Sequence, residues 1–244
     1  TDQVQDATDA IPERTKATFA GMFSMMGKPG ATWSSGGNAS RADDFGFISA
    51  AISLDFEGAD MVGLNSDYNW FSTASELSTR DANYANPYMR YVIPYRQIGL
   101  ANQIIETIPE DTEIPESMNM RAQACAIRAF DYLSLAPYFQ FADEAHFDEP
   151  CIPLLDGKNG FAENPRASVR AVYESIIADL NWAVEHLTAE RTDKGKINKN
   201  VALGLRARAN LFLGNFAEAA ADAAAAMEGY TPASMEDLSV PSFY

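Results

Sequence analysis

The sequence is short of basic residues. It has 18 lysines and arginines against 34 acidic residues, which gives a formal net charge of -16. A protein that binds nucleic acid needs clustered cations for its phosphate contacts, and a protein that lies on anionic lipid uses the same residues. The charge balance therefore argues against nucleic acid as a partner and against direct contact with an anionic membrane.

Cysteine and histidine are also scarce. Cys125 and Cys151 are too few for a disulfide scaffold and form no CxxC motif for zinc or redox chemistry. Cys125 falls in a helical pattern, which predicts a small buried thiol. The two histidines, His146 and His186, belong to no catalytic motif, and the sequence has no GxSxG, Walker, HExxH or GxGxxG pattern. We therefore predict that the protein is not an enzyme.

One acidic loop has the right atoms for a metal ion. His146 lies among the carboxylates of Asp143, Glu144, Asp148 and Glu149, and such oxygens suit a hard cation such as Ca²⁺. The loop lacks the DxDxDG spacing of a calcium loop, so a solvated charged loop is the favoured interpretation. The sequence predicts no cofactor.

Long apolar runs are missing as well. No stretch of about 18 apolar residues occurs, so no transmembrane helix is predicted. Hydrophobic residues nevertheless make up 47% of the chain, enough for a sizeable core. We interpret residues 1–244 as a single domain with a polar tail over about residues 1–10.

Apolar residues recur with a helical period along most of the chain. Strand signals are short and confined to residues 61–64 and 151–155. The sequence thus predicts a mainly α fold with long irregular loops and little strand. The predicted helical stripes are Thr15, Phe19, Met22, Phe23 and Met26; Phe45, Ile48, Ile52 and Phe56; Tyr95, Ile98, Asn102 and Ile105; Ala122, Cys125, Ala126, Ala129, Leu133 and Ala136; Val169, Val172, Tyr173, Ile176, Ile177, Leu180, Val184 and Leu187; Val201, Leu205, Ala209 and Phe212; and Phe216, Ala219, Ala220, Ala223 and Met227.

Several residues predict where these helices begin and end. A helix start is expected near Ser117, and Ser168 is a good N-cap for the helix that follows it. Pro94 is expected to kink or restart its helix, and Pro137 to bend or stop the helix that contains it. Gly214 and the residue after it predict a turn between the last two helices.

The segment LGNFAEAAADAAAAMEGYTP resembles the second helix of a tetratricopeptide unit. Its alanines allow two helices to nest closely, and the preceding segment KNVALGLRARANLFLG is a suitable partner across a tight turn. We expect tetratricopeptide-like hairpins over about residues 87–230. Helix propensity alone also produces alanine-rich helices, so this alternative stays open.

Three longer stretches, taken in order, resemble the SusD/RagB family. They are RAQACAIRAFDYLSLAPYF followed by IPLL, then SVRAVYESIIADLNWAVEHL, then GKINKNVALGLRARANLFLGNFAEAAADA, and their spacing agrees over about residues 90–230. The residues that match the family pattern in the first two stretches are Arg121, Ala122, Ala124, Arg128, Ala129, Tyr132, Leu135 and Phe139, and Val169, Val172, Tyr173, Ile176, Asp179, Leu180, Ala183 and Leu187.

The chain also departs from the family pattern. Gln123 stands where the family usually has glutamate, and FADEAHFDEP lengthens the link to IPLL. Family members continue well beyond the position of Tyr244, so the resemblance implies either that the family's C-terminal half is missing from this sequence or that the chain is an unusually short relative.

The resemblance implies a SusD-like glycan-binding lipoprotein at the outer membrane and cell surface of a Bacteroidetes-type bacterium. Such a protein captures an oligosaccharide or polysaccharide and delivers it, without bond cleavage, to a SusC-like TonB-dependent transporter. Its contact with the membrane is a lipid anchor on a cysteine upstream of Thr1. Two alternatives remain: a tetratricopeptide-type protein–protein scaffold, and a SusD-like binder of peptides.

The region from Asp67 to Tyr91, which begins in the segment NSDYNWFSTASE, is the candidate ligand-binding site. It has neither a helical stripe nor clean strand alternation, and aromatic rings in such a loop suit the C–H faces of sugars while polar neighbours bind the hydroxyls. An alternative is that Trp70 and Phe71 anchor the loop in the core, and Trp33 is a second exposed candidate. The predicted rings are Tyr68, Trp70, Phe71 and Tyr84, and the predicted polar groups are Asp67, Asn69, Arg80 and Asn83.

Overall fold

A computed structural model describes residues 12–27, 46–58, 85–155 and 164–239, together with residues 61, 74, 77 and 81. Helices dominate this part of the chain, as predicted. They are α1 (Pro12–Ser24), α2 (Phe47–Asp55), α3 (Ala85–Thr107), α4 (Pro115–Phe139), α5 (Val169–His186), α6 (Lys199–Phe212), α7 (Phe216–Ala226) and the short α8 (Met235–Leu238).

Strand structure is confined, in the described ranges, to one small antiparallel pair. Strand β1 (Pro150–Pro153) pairs with β2 (Arg166–Ser168), and the register shifts between its two ends. The strand expected at residues 151–155 is therefore confirmed in position. Met61 lies in no strand, and the other residues of that candidate, 62–64, are outside the described residues.

Consecutive helices pack against each other in a row. Helix α3 contacts α4, α4 contacts α5, α5 contacts α6, and α6 contacts α7, while α1 and α2 both lie against α3. This arrangement confirms the mainly α fold with tetratricopeptide-like hairpins. Each helix buries its apolar face only by contact with its neighbours along the row, as in other hairpin stacks.

Helix α4 is the centre of the core. The predicted small-residue stripe is buried as expected, and Ala122, Ala126 and Ala129 are fully buried. Because these side chains are small, α3 and α5 approach the α4 backbone closely on its two sides. The apolar face of α5 completes this cluster with Tyr173 and Ile176, which are also fully buried.

Side chains cap two helix starts, and the first of them is the predicted N-cap Ser168. The Ser168 hydroxyl accepts a hydrogen bond from the Ala171 N–H at 3.2 Å, and the Asn198 side chain accepts one from Val201 at 3.0 Å. Gly214 has a positive φ of 77°, which suits glycine and confirms the predicted turn. The start of α4 was predicted two residues late, because Pro115 occupies its first turn.

Neither internal proline ends its helix where expected. Helix α3 continues through Pro94, and α4 continues two residues past Pro137 to Phe139. A proline removes one backbone donor from the helix ladder. Packing on both sides of these long helices outweighs that local loss, so the prediction of a restart at Pro94 was wrong.

The predicted stripe of α2 was wrong. Ile48 is 53% exposed, and the buried residues of the helix are Ser49, Ala50 and Ser53. The Ser53 hydroxyl bonds the Ala50 carbonyl and accepts from Arg90 of α3. Satisfied hydroxyls let the small face pack inward, and the isoleucine is left on the outer face.

The predicted stripe of α7 was also wrong, except at Ala219. Phe216 is 68% exposed and Met227 is 60% exposed, and Ala220 and Ala223 are exposed too, whereas Ala219 and Asp222 are buried. The Asp222 carboxylate accepts two hydrogen bonds from Arg206 of α6, at 2.7 and 2.8 Å. This bidentate pair sets the rotation of α7 and turns its large apolar residues outward.

A buried polar network joins the central helices. Arg128 of α4 donates two hydrogen bonds to the Asp179 carboxylate of α5, at 2.7 and 2.8 Å, and one to Asn102 of α3 at 2.7 Å. The Asn102 amide donates in turn to the Leu155 carbonyl just after β1, at 2.7 Å. The Tyr132 hydroxyl accepts from the Leu155 N–H at 2.8 Å. One guanidinium thus connects three helices and the segment that follows β1.

We expect Asp179→Ala to lower the free energy of unfolding by about 3–5 kcal/mol, because it leaves the Arg128 charge buried without its carboxylate. The double variant Arg128→Met/Asp179→Leu should lose less than the sum of the single variants Arg128→Met and Asp179→Leu, measured by urea unfolding. Asp222→Ala, which breaks a more exposed bidentate pair, serves as the matched control and should cost less. Strictly additive losses at positions 128 and 179 would contradict the coupling.

Asp131 of α4 is buried with no polar partner. Its side chain is fully buried, and neither carboxylate oxygen has a hydrogen-bond partner. Burial raises the pKa of Asp131 well above its ordinary value. The folded protein therefore holds this carboxyl in its neutral form at pH values where the unfolded chain ionises it.

This difference makes stability depend on pH with a definite sign. The stabilising contribution of neutral Asp131 to the free energy of unfolding is fully present below the ordinary aspartate pKa. It is lost, at about 1.4 kcal/mol per pH unit, as the pH rises toward the raised pKa of this carboxyl. We expect Asp131→Asn and Asp131→Leu to be more stable than the wild type at pH 7, with the advantage shrinking toward pH 4. Urea unfolding at several pH values measures it, and an advantage independent of pH would disprove this account.

Candidate functional site

The predicted ring-bearing loop lies outside the described residues. This applies to Asp67, Tyr68, Asn69, Trp70, Phe71, Arg80, Asn83 and Tyr84, and to Trp33. Inside that part of the chain the structure describes Ala74, which is 2% exposed, and Leu77, which is exposed and has a positive φ of 54°. The Leu77 N–H bonds the Ala74 carbonyl at 3.1 Å, so one turn of this segment has its first residue in the core. The loop residues themselves remain a prediction.

The helices on either side of this loop form a cavity. Helices α2 and α3, which precede and follow the loop in sequence, meet α4 around a space of about 510 Å³. Its walls are mostly apolar, and the Phe47 and Phe130 rings contact each other at a centroid distance of 4.9 Å. The other apolar lining residues include Ala50, Ala51, Leu54, Ile93 and Leu133.

One edge of this cavity carries arginine. The Arg90 guanidinium pairs with Glu57 at 2.7 Å, donates to Ser53 at 3.2 Å, and lies 5.5 Å from the centroid of the Tyr138 ring. Its Nε–H is buried and has no acceptor. Arg208 of α6 reaches the same cavity. Burial raises the pKa of the Tyr138 hydroxyl, and the two arginines oppose that effect.

A second hollow, of about 470 Å³, lies between α1, α4 and the segment after α5. Amide and hydroxyl side chains line part of it, but the ring of its lining residue Phe19 already contacts a lysine. The Lys196 ammonium lies 4.9 Å from the Phe19 centroid and 3.7 Å from that of Phe23, and burial lowers the pKa of this lysine. Because the cation covers the ring faces, this hollow offers little stacking surface for a sugar.

Gln123 borders the same hollow, and its amide makes two hydrogen bonds. Its carbonyl oxygen accepts from the Ile197 N–H at 3.2 Å, and its NH₂ donates to the Asn119 side chain at 2.8 Å. A glutamate at this position could accept from the same Ile197 N–H, but it would need the Asn119 amide to turn and donate to it.

The acidic loop does not assemble a metal site in the described part of the chain. No group of three or more histidine, cysteine or carboxylate side chains comes together there. Asp143 bonds His146 at 2.6 Å, and the hydrogen bond from His146 lowers the pKa of Asp143. Asp148 pairs with Arg170 at 3.2 Å. Asp143 and Asp148 are thus each engaged with a basic side chain of the protein.

Both cysteines are buried and free. Burial raises the pKa of the Cys125 thiol to about 12 and that of Cys151 to about 11. The prediction of a small buried thiol at Cys125 is confirmed. Neither sulfur has the lowered pKa that marks a reactive cysteine.

The helical hairpins and their order indicate a class of protein. Comparison with known protein families and solved structures identifies that class. A family model described as "Starch-binding associating with outer membrane", the SusD-like model, matches residues 50–211. The chain belongs to this SusD-like family. The resemblance seen in the sequence is therefore confirmed.

Solved structures agree with this assignment. A SusD-like carbohydrate binding protein from Bacteroides vulgatus is 25% identical, with a TM-score of 0.75 over 92% of this chain and 46% of that one. A SusD superfamily protein from Bacteroides fragilis is 17% identical, with a TM-score of 0.73 over 96% and 53%. A laminarin binding SusD-like protein is 19% identical, with a TM-score of 0.65 over 91% and 45%.

The chain spans about half the length of these solved structures. No protein of curated function matches it. Within the described residues, no helix combines the length and the apolar character that a membrane crossing requires.

Sequence reasoning missed the apolar cavity. Ala50, Ala51 and Leu54 come from α2, whose stripe was mispredicted, and Arg208 comes from a helix far along the chain. The only available signal was the pair of alanines inside a short helix. Two adjacent small residues are compatible both with a closely packed neighbouring helix and with a cavity, so this pair alone could not predict the cavity.

The Arg90 contacts hold α2, one wall of the cavity, against α3. We expect Arg90→Leu to speed amide hydrogen exchange in Phe47–Asp55 by about tenfold, because the bonds to Ser53 and Glu57 are lost. Exchange in α5 and α6 should not change. Arg170→Leu, which removes an exposed ion pair, is the control. Equal acceleration in all helices, or none in α2, would contradict this role of Arg90.

Proposed function

We propose that this protein is a cell-surface, glycan-binding lipoprotein that captures an oligosaccharide or polysaccharide and delivers it to a SusC-like TonB-dependent transporter in the outer membrane. The observation that carries the proposal is the match of residues 50–211 to a family described as starch-binding and associated with the outer membrane. The similarity to a laminarin binding protein supports the choice of glycan as the ligand class.

The physical role of the helical stack is to display loops. The row of packed hairpins forms a stiff scaffold, and binding residues commonly lie on loops that such a scaffold positions. In sequence, residues 67–84 lie between α2 and α3, two helices of this scaffold. We propose that Tyr68, Trp70, Phe71 and Tyr84 stack on sugar rings while Asp67, Asn69, Arg80 and Asn83 bind hydroxyl groups.

Stacking of this kind gives modest affinity. Each ring contributes about 0.5–1.5 kcal/mol beyond the area that it buries, by analogy with aromatic pairs. A few rings then bind with micromolar to millimolar dissociation constants. Weak capture suits a protein that must pass its ligand on.

The proposed attachment to the membrane is a lipid anchor upstream of Thr1. One or two acyl chains are sufficient to hold such a protein at the bilayer surface. The excess of acidic residues would then keep the protein surface away from anionic lipid.

Isothermal titration calorimetry against laminarin, starch oligosaccharides and a panel of plant and host glycans tests the glycan claim. We expect one of these to bind, and Trp70→Ala to weaken that binding about tenfold through loss of one stacked ring. The matched control is Phe216→Ala, which removes a ring that is 68% exposed on α7.

The possible outcomes test the class of ligand and the assignment of the binding residues separately. If no glycan binds while a peptide panel does, the glycan claim is wrong and the peptide alternative takes its place. If a glycan binds equally to the wild type and to Trp70→Ala, the claim stands and the assignment of Trp70 is wrong.

A further inference from the structure

The cavity between α2, α3 and α4 differs in chemistry from a sugar site. Sugars need many polar partners around their hydroxyls, whereas this space of about 510 Å³ is lined chiefly by Phe47, Phe130, Ile93 and similar side chains. Its volume falls in the range of small-molecule sites. The glycan proposal makes no use of it.

Two arginines at the edge of the cavity have N–H groups without an acceptor among the described residues. The Nε–H of Arg90 is buried and unpaired, although the other nitrogens of its guanidinium bond Glu57 and Ser53. Arg208 contributes a second guanidinium, and no polar contact joins it to any described residue. A buried N–H that lacks an acceptor costs free energy, and a ligand that supplies an acceptor recovers it.

The charged groups around the cavity indicate what kind of ligand would fit. Glu57 neutralises Arg90, and Asp55 is the one carboxylate among the described lining residues. Arg208 brings five N–H donors, and Arg90 adds one that has no acceptor. A carboxylate is the group that pairs best with a guanidinium.

We propose that this cavity binds a small amphiphilic carboxylate, with its apolar body against the Phe47 and Phe130 rings and its carboxylate toward Arg208 and Arg90. An aromatic ring or short alkyl chain fits the apolar walls. The carboxylate supplies the acceptors that the edge lacks. The described residues that line this cavity are not among the predicted glycan-binding residues, and the proposal does not depend on the glycan proposal.

The test uses 4-phenylbutyrate and its uncharged counterpart, 4-phenylbutanamide, titrated into the complete protein by calorimetry. We expect the acid to bind about tenfold more tightly than the amide, since only the acid forms charge-assisted hydrogen bonds with arginine. Added salt should weaken the acid more than the amide, because the pair at Arg208 is exposed to solvent.

Three variants locate the binding. Arg208→Gln should remove the preference for the acid. Because Arg208 is exposed and has no partner among the described residues, this substitution should leave folding unchanged. Arg166→Gln, an exposed arginine on β2 outside the cavity lining, should keep the preference. Ala51→Trp places an indole in the cavity from an exposed position of α2 and should abolish the binding of both compounds.

The proposal is overturned if neither compound binds, if the acid and the amide bind equally, or if Arg208→Gln retains the preference for the acid. Should Ala51→Trp fail to show a cooperative thermal transition, the comparison of Arg208→Gln with Arg166→Gln decides alone. Glycan titrations on the same samples give a separate result, because none of these variants substitutes a residue of 67–84.

Discussion

The structure depends on one buried guanidinium at the centre of its longest helix. Arg128 lies on α4, and its guanidinium bonds side chains of both α3 and α5. Its charge would be costly there without Asp179 and Asn102. The three partners therefore have to keep one relative position, and the register of the central helices follows from that requirement.

The same network extends beyond the helices. Asn102 and Tyr132 both bond the backbone of Leu155, and the Tyr95 hydroxyl donates to the Pro153 carbonyl at 2.8 Å. The IPLL segment is thus attached to two helices through its own backbone atoms. Helix α2, in contrast, is held by Arg90 and by a small apolar cluster. Stability is therefore expected to be highest around α4 and lower at the wall next to the candidate loop.

The sequence allowed the long central helices to be predicted because large apolar residues on α5 and small ones on α4 recur at a helical period, and both faces are buried. It failed for α2 and α7 because polar contacts set their rotation: Ser53 with Arg90, and Asp222 with Arg206. The period of apolar residues in a sequence contains no information about polar contacts between two helices. The ring-bearing loop could be proposed from residue types, but its geometry depends on tertiary contacts that no local pattern encodes.

Burial of both native thiols has a practical consequence. Cys125 and Cys151 are inaccessible and hold their protons at neutral pH, so maleimide reagents would find no native target in the folded chain. A single cysteine introduced on the surface would then take a fluorophore selectively, without prior removal of the native pair. The distance between two such labels, placed at two surface positions, would report whether the chain changes shape when a ligand binds.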